Sequence, residues 1–236
     1  PLFCMRNTKR LAEGAKMRQI QPKKTLVEQT YETLVDAICS GELPPGERLA
    51  QEEIATRLNV SRQPVNNALA MLKSNGFVEE TGRRGVVVSE ISPDQFRAIY
   101  EFRTAVEPFA VRLAAERLPA DAARQAEKIM KDGKAAFFSG SAKAQVEADI
   151  AFHEMLYHWA GNAIILSTMR MNWQHIRRAM NLVIREGVTA ETSWQEHNHI
   201  VDALMRGDVA QAVAEMEGHI VRAQAKTMEA LERPRP

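Results

Sequence analysis

The sequence predicts a mainly α protein in two parts, an N-terminal winged helix-turn-helix followed by an all-α antiparallel helical bundle. Three observations predict it. Apolar residues recur at helical spacing in three short stretches before Gly76 and in six longer ones after Pro93. Strand-like runs are confined to Phe77-Val78 and Val86-Val87-Val88. The breaks between the later stretches are short, and long helices joined by short loops pack antiparallel.

Composition bounds the reading. With 236 residues, 45% hydrophobic and 26% charged, the chain has the make-up of a soluble globular protein with one large or two modest domains. It holds no run of about 18 apolar residues and no leading h-region, so the expected location is cytoplasmic, with no membrane partner. Cys4 and Cys39 are too few and too far apart in kind for a disulfide framework, and reduced thiols are expected. Residues 1–24 carry seven basic side chains against Glu13 alone and lack apolar periodicity. They read as a flexible basic arm, either a solvated tail or an arm that touches nucleic acid.

Residues 25–90 form the first expected domain. Leu26, Tyr31, Leu34, Val35 and Ile38 mark one helix, which Gly41 closes. Pro44-Pro45-Gly46 forbids helix, and a second helix follows at about Gln51–Leu58, broken by Asn59. Ser61 is a suitable N-cap for a third, which carries Val65, Leu69 and Leu72 to the Asn75-Gly76 stop. The two β-like runs flank Thr81-Gly82-Arg83-Arg84-Gly85, a hairpin with a basic tip.

This order is the plan of a winged helix. The third helix would enter the major groove by its N-terminal end, presenting Ser61, Arg62, Gln63, Asn66 and Asn67 to base edges and phosphates. Residues 25–90 hold six basic side chains against ten acidic ones. Affinity for double-stranded DNA would therefore depend on placement: Arg48 in the entry segment, Arg62 on the recognition helix, and Arg83, Arg84 and Gly85 in the wing.

After a linker at 91–93, residues 94–231 read as six helices near 94–118, 121–138, 142–160, 163–185, 190–206 and 208–231, with a short tail at 232–236. Pro108 is expected to kink the first. Asp149 and His153 share a stripe with Val146, Ile150, Leu156 and Ala160; His197 shares one with Trp194, Ile200, Val201 and Leu204; His219 shares one with Ala212, Met216 and Ala223. Four metal-capable side chains thus face a core. A core carboxylate or imidazole is costly unless it is hydrogen-bonded or ligates a metal, and periodicity leaves both possibilities open. His199 lies about 200° round the helix from His197, and His158 and His175 have no such partners.

The alternative reading is a metal-dependent hydrolase fused to a winged-helix module. HEMLYH at His153–His158 superficially suggests a zincin helix, but that motif needs histidines at i and i+4. Five residues place these two about 140° apart, where they cannot chelate together. No nucleophile elbow or phosphate loop is present, so no catalytic residue is assigned.

The run SGELPPGERLAQEEIATRLNVSRQPVNNALAMLKSNGFVEETGRRGVVVSEIS resembles the winged helix of the GntR family of bacterial transcription regulators. The likeness implies DNA-contacting positions at Arg48, Arg62 and the Gly85 wing tip. One departure matters: the family usually has Thr-Pro-Val-Arg-Glu where this chain has Gln63-Pro64-Val65-Asn66-Asn67, so a habitual base-contacting arginine is missing. Residues 94–225 resemble the FCD domain, the effector-binding bundle of the FadR-type branch, through YEFRTAVEP, DIAFH, Gly161-Asn162, EHNHIVDALMRGD and His219.

That second likeness implies a divalent metal, zinc first with nickel, manganese or iron as alternatives, held by Asp149, His153, His197 and His219. It implies also a small organic-acid effector whose carboxylate meets the metal. Arg103 matches a position that often meets the effector's acid group, its alternative being a surface ion pair with Glu107, and Trp173, Arg177 and Arg178 are candidates to line the cavity. The expected protein is a homodimer on a pseudo-palindromic operator, since one recognition helix is a small reader and twofold symmetry doubles it.

Overall fold

The computed structural model describes residues 24–82, 85–185 and 191–232. Arg83, Arg84, the arm as far as residue 23, the predicted break at Gly187 and the tail from residue 233 lie outside the described residues.

The first domain begins with α1 (Leu26–Ser40). Its start is a capping box: Glu28 N donates to Thr25 Oγ1 at 3.2 Å, and Thr25 N donates to the Glu28 carboxylate at 2.7 Å. These bonds satisfy two amides that the helix cannot. Gly41 ends it at φ 79°, a conformation that costs glycine nothing. α2 (Gln51–Leu58) ends at Asn59, the one non-glycine residue with positive φ (51°) among the described residues. α3 (Arg62–Ser74) starts at Ser61, whose side chain makes no capping bond.

The wing is β1 (Val78–Thr81) paired antiparallel with β2 (Gly85–Val88), in the register Val78 to Val88 and Thr81 to Gly85. The segment before α2 joins it, a feature that periodicity did not indicate. Gly46 N donates to Val88 O, Leu49 N to Val86 O, and Val88 N to Glu47 O, at 2.8–2.9 Å. Leu34, Ile38, Val65, Leu69, Leu72, Phe77 and Val88 close the core of this domain.

The second domain is a bundle of α4 (Pro93–Glu116), α5 (Ala122–Phe138), α6 (Ala142–Ala160), α7 (Ala163–Arg185), α8 (Glu191–Met205) and α9 (Val209–Glu232). Ser92 caps α4, whose helical span includes Pro108. α4 packs on α6 and α9, α8 on α9, and α5 on α6 and α8. Gly133 of α5 lies against Trp194 of α8 so closely that a Cβ there would fall inside the indole.

α7 joins the two domains. Its Trp173, Ile176 and Met169 are buried in the bundle, while Gln174, His175, Arg177 and Arg178 meet the winged helix. His175 stacks on Phe77, Gln174 O accepts from Cys39 Sγ at 3.3 Å, Arg177 pairs with Asp36 at 2.5 Å, and Arg178 donates to Ser89 O. Burial pushes the Cys39 thiol up to about 11, so it stays protonated here.

Candidate metal centre and nucleic-acid interface

Three histidines from three helices converge inside the bundle. His153 of α6, His197 of α8 and His219 of α9 are at most 2% exposed, and each can offer one ring nitrogen such that all three lie within 4.8 Å of one another. His197 Nε2 stands 3.3 Å from His219 Nε2 and 3.5 Å from Asp149 Oδ1. Two ligand atoms bound at 2.0–2.1 Å to one tetrahedral ion would be about 3.4 Å apart, so both separations suit a shared ion. Asp149 adjoins this group through His197.

The surroundings prepare these rings as ligands. Burial, followed by the neighbouring His219 and His153, holds His197 well below the usual histidine range. Burial also lowers His219, against the opposing effect of Glu196. Both are therefore neutral at physiological pH, the state in which imidazole binds metal. His153 Nε2 and His197 Nδ1 are buried without a hydrogen-bond partner. At His153, whose Nδ1 faces Glu107, the orphaned atom is Nε2, and such a buried unpaired atom is uncommon and suits a group that the protein fold alone does not supply. His197 also lies flat on Phe152, 3.7 Å between centroids, and meets Trp194 edge-on at 4.9 Å.

Around the triad lies a buried ion pair. Arg103 Nε donates to Glu107 Oε1 at 2.5 Å, with side-chain exposures of 2% and 0%, and Glu107 Oε2 is 2.6 Å from His153 Nδ1. Burial alone would push the Glu107 carboxyl up, but the Arg103 charge and the hydrogen bonds from Arg103 and His153 outweigh it and hold the carboxyl far below the usual range. Burial works against the Arg103 charge too, and Glu107 more than compensates. The pair with Glu107 exists, then, but in the interior rather than on the surface. The Arg103 guanidinium lies 4.7 Å from the ring centroids of Tyr100 and Trp173, and Trp173 sits 4.9 Å from His153.

Arg177 departs from the expectation that it lines the cavity. It is one turn beyond Trp173 and turned round the helix, which brings it to Asp36 of α1. There it lines a cleft of about 770 Å³ between α1, α2 and the bundle. Arg178 likewise reaches the winged helix. Periodicity did not place two carboxylates beside the histidines: Glu107, expected only as a surface partner of Arg103, and Glu196, buried next to His197 in sequence and 2.8 Å from His219 Nδ1. The signal for Glu107 was available, an acid one turn from an arginine on an apolar stripe.

The remaining histidines differ. His158 and His199 are exposed and His175 is a packing residue. Because His153 is buried and His158 exposed, HEMLYH cannot present both to one ion, and Glu154 is instead bonded to Arg170 at 2.7 Å.

On the winged helix, Ser61, Arg62, Gln63, Asn66 and Asn67 are all exposed on the N-terminal half of α3, above buried Val65 and Leu69. Gln63 Nε2 donates to Asn67 Oδ1 at 3.1 Å, which orients both amides. Arg48 is exposed and its backbone bridges to Val87, so it stands beside the wing. Gly85 opens β2 at φ 74° with space around it.

Comparison with known proteins agrees with both halves. Residues 26–88 match the family model described as bacterial regulatory proteins, gntR family, and residues 98–222 match the FCD domain. The chain is 27% identical over 202 residues to the HTH-type transcriptional repressor RspR of Escherichia coli K12, covering 86% of this chain and 89% of that protein. It is 29% identical over 196 residues to an HTH-type transcriptional regulator of Streptomyces ambofaciens, covering 80% of each. Among solved structures, E. coli McbR/YncC shares the fold with a TM-score of 0.76 at 20% identity, covering 88% of this chain and 99% of that one. A GntR regulator from Rhodococcus sp. RHA1 gives 0.74 at 23% identity, covering 86% and 97%.

Proposed function

The chain belongs to the GntR family of bacterial transcription regulators and carries an FCD domain, and from that premise we propose that a small organic acid and a divalent metal in the bundle control its binding to an operator. DNA binding is the activity of the family, and neither fold nor relatives support the hydrolase alternative. No helix among the described residues is long and apolar enough to cross a membrane.

The observation that carries the proposal is the convergence of three buried histidines with an orphaned Nε2 among them. His153, His197 and His219 would hold the ion, with Asp149 as the oxygen donor. Three nitrogens and one oxygen suit zinc, with nickel, manganese or iron as alternatives. When bound, the ion supplies coordination positions for an effector carboxylate. Arg103 and Trp173, buried beside His153, would meet the rest of such a ligand.

The coupling to DNA runs through α7. Trp173 packs over Arg103 and His153, and the residues from Gln174 to Arg178 grip the winged helix. A ligand that repositions Trp173 therefore bears on the seat of the DNA-binding domain. It can shift operator binding only through unequal affinity for two arrangements of that domain. Two copies would read a pseudo-palindromic operator, with Arg48, Ser61, Arg62, Gln63, Asn66, Asn67, Arg83, Arg84 and Gly85 as the contact set.

Elemental analysis with a ligand screen tests this. The purified chain is expected to carry about one divalent ion, and His197→Ala to lose both ion and thermal stability, because metal binding energy is also folding energy. Sugar acids, hydroxy acids and dicarboxylates are then compared by thermal shift and by operator retention. A wild type that cannot be loaded with metal, and whose stability the mutation leaves unchanged, would return the histidines to ordinary core packing.

A further inference from the structure

Two carboxylates behind the histidines form a matched pair of relays. On one side Arg103 Nε donates to Glu107 Oε1 at 2.5 Å, and Glu107 Oε2 is 2.6 Å from His153 Nδ1. On the other, Arg222 Nε donates to Glu196 Oε1 at 2.5 Å, and Glu196 Oε2 is 2.8 Å from His219 Nδ1. The two chains share no residue and no order of elements. Arg103 and Glu107 come from α4 and His153 from α6; Arg222 and His219 come from α9 and Glu196 from α8. We infer that Glu107 and Glu196 are positioning residues that fix His153 and His219 as Nδ1–H tautomers and so turn each ring's Nε2 toward the ion site.

The chemistry leaves little freedom. An ionised carboxylate can only accept hydrogen bonds, and each of these has one oxygen occupied by an arginine. The facing Nδ1 must carry the proton, and a neutral imidazole has only one N–H. Nε2 is then left as a bare lone pair. At His153 that atom is buried with no partner, and at His219 it is 3.3 Å from His197 Nε2. Each carboxyl is also paired with an arginine, Glu107 with Arg103 and Glu196 with Arg222, a contact that favours the ionised form. The arginines thus have a definite part: a protonated glutamic acid could donate to Nδ1 and reverse the tautomer. His197 has no such backing, since its Nδ1 is unpartnered.

This inference rests on the reading of the three histidines as metal ligands. If the carboxylates merely satisfied buried imidazoles, removing one would change stability without changing tautomer or metal affinity. The test uses the full chain, 15N-labelled and stripped of metal, with imidazole tautomers read from two-bond 1H–15N correlations. Zinc affinity is measured by competition with a chromophoric chelator. Wild type is expected to show Nδ1–H at His153 and His219. Glu196→Ala should move His219 toward Nε2–H and weaken zinc about 10–100-fold, the range seen when such partners are lost.

Glu107→Ala would strand the buried Arg103 charge, so the double variant Arg103→Met/Glu107→Leu does the same duty for His153 without leaving an unpaired ion. The exposed pair of Arg170 with Glu154 supplies the control, and Arg170→Ala should move neither readout. An Nε2–H tautomer at both rings in wild type, or zinc affinity in Glu196→Ala equal to wild type, overturns the inference. A wild type that takes up no zinc, nickel or manganese overturns the metal reading itself, a result separate from metal that binds and ignores both variants.

Discussion

His175 lies flat on Phe77, with ring centroids 4.2 Å apart and planes within 3°. One belongs to the bundle and the other to the turn between α3 and the wing, so this stack is part of the seam between the FCD domain and the winged helix. Burial, the main cause, lowers the His175 pKa, with Asn75 opposing and Arg178 assisting.

A pH dependence follows. A base whose folded pKa is depressed binds fewer protons in the folded than in the unfolded state, so its stabilisation is complete above the ordinary value of 6.5 and is lost as pH falls below it. The slope from one such group is at most about 1.4 kcal/mol per pH unit. His197 and His219 add slopes of the same sign. His175→Phe keeps the stack and removes only its own share, and thermal melts between pH 7.5 and 5 should therefore be flatter in the variant than in wild type. Parallel curves would mean that His175 takes up its proton equally in the folded and unfolded chains.

Gly133→Ala addresses the packing behind the metal site. The added methyl would collide with the Trp194 indole, which itself meets His197 edge-on. Overpacking of this kind costs about 1–3 kcal/mol. Chemical denaturation should show the loss, together with weaker metal retention as Trp194 is pushed toward His197. Wild-type stability would show that α5 can move aside.

Arg103→Leu is expected to abolish the thermal shift given by an acidic effector. Breaking a fully buried pair costs about 3–5 kcal/mol, because the Glu107 charge loses its cation and keeps only His153. The variant should therefore also melt earlier, and Arg103→Met/Glu107→Leu should recover much of that loss without regaining the effector response. Operator affinity without effector should persist in the double variant, since both residues lie outside the winged helix. Full effector response in the double variant would mark Arg103 as purely structural.

Asn66→Arg probes the recognition helix. Asn66 is exposed near the start of α3, where asparagine can pair with adenine through N6 and N7 and arginine with guanine through O6 and N7. Selection from random DNA should move one symmetric pair of positions from adenine toward guanine, by about 1–3 kcal/mol per contact. Identical motifs for both proteins would assign base reading to Arg62, Gln63, Asn67 or the wing.

Helices were legible because their signals are local. Caps such as Gly41 and Asn59, and the stripes through Asp149, His153, His197 and His219, need only the chain's own periodicity. What periodicity cannot say is which neighbour an inward residue meets. Glu107 meets His153 across 46 positions, and Glu196 meets His219 across 23. Arg177 is the converse case. Its spacing from Trp173 admits either the cavity or the adjoining domain, and Asp36 on α1 decides it. The pairing of residues 46–49 with β2 was hidden for a similar reason: prolines and glycines announce a loop, not the strand edge on which it lies.

That edge has mechanical meaning. Backbone bonds from Gly46, Leu49 and Val88 weld the segment bearing Arg48 to the strand that begins at the wing tip. On the proposed function Arg48 and the wing would travel as one jaw of fixed gape, and the span of phosphates between them would not alter when the bundle is liganded. An effector has only the pose of the whole reading head to change, so a single operator spacing should serve one liganded state and fail the other.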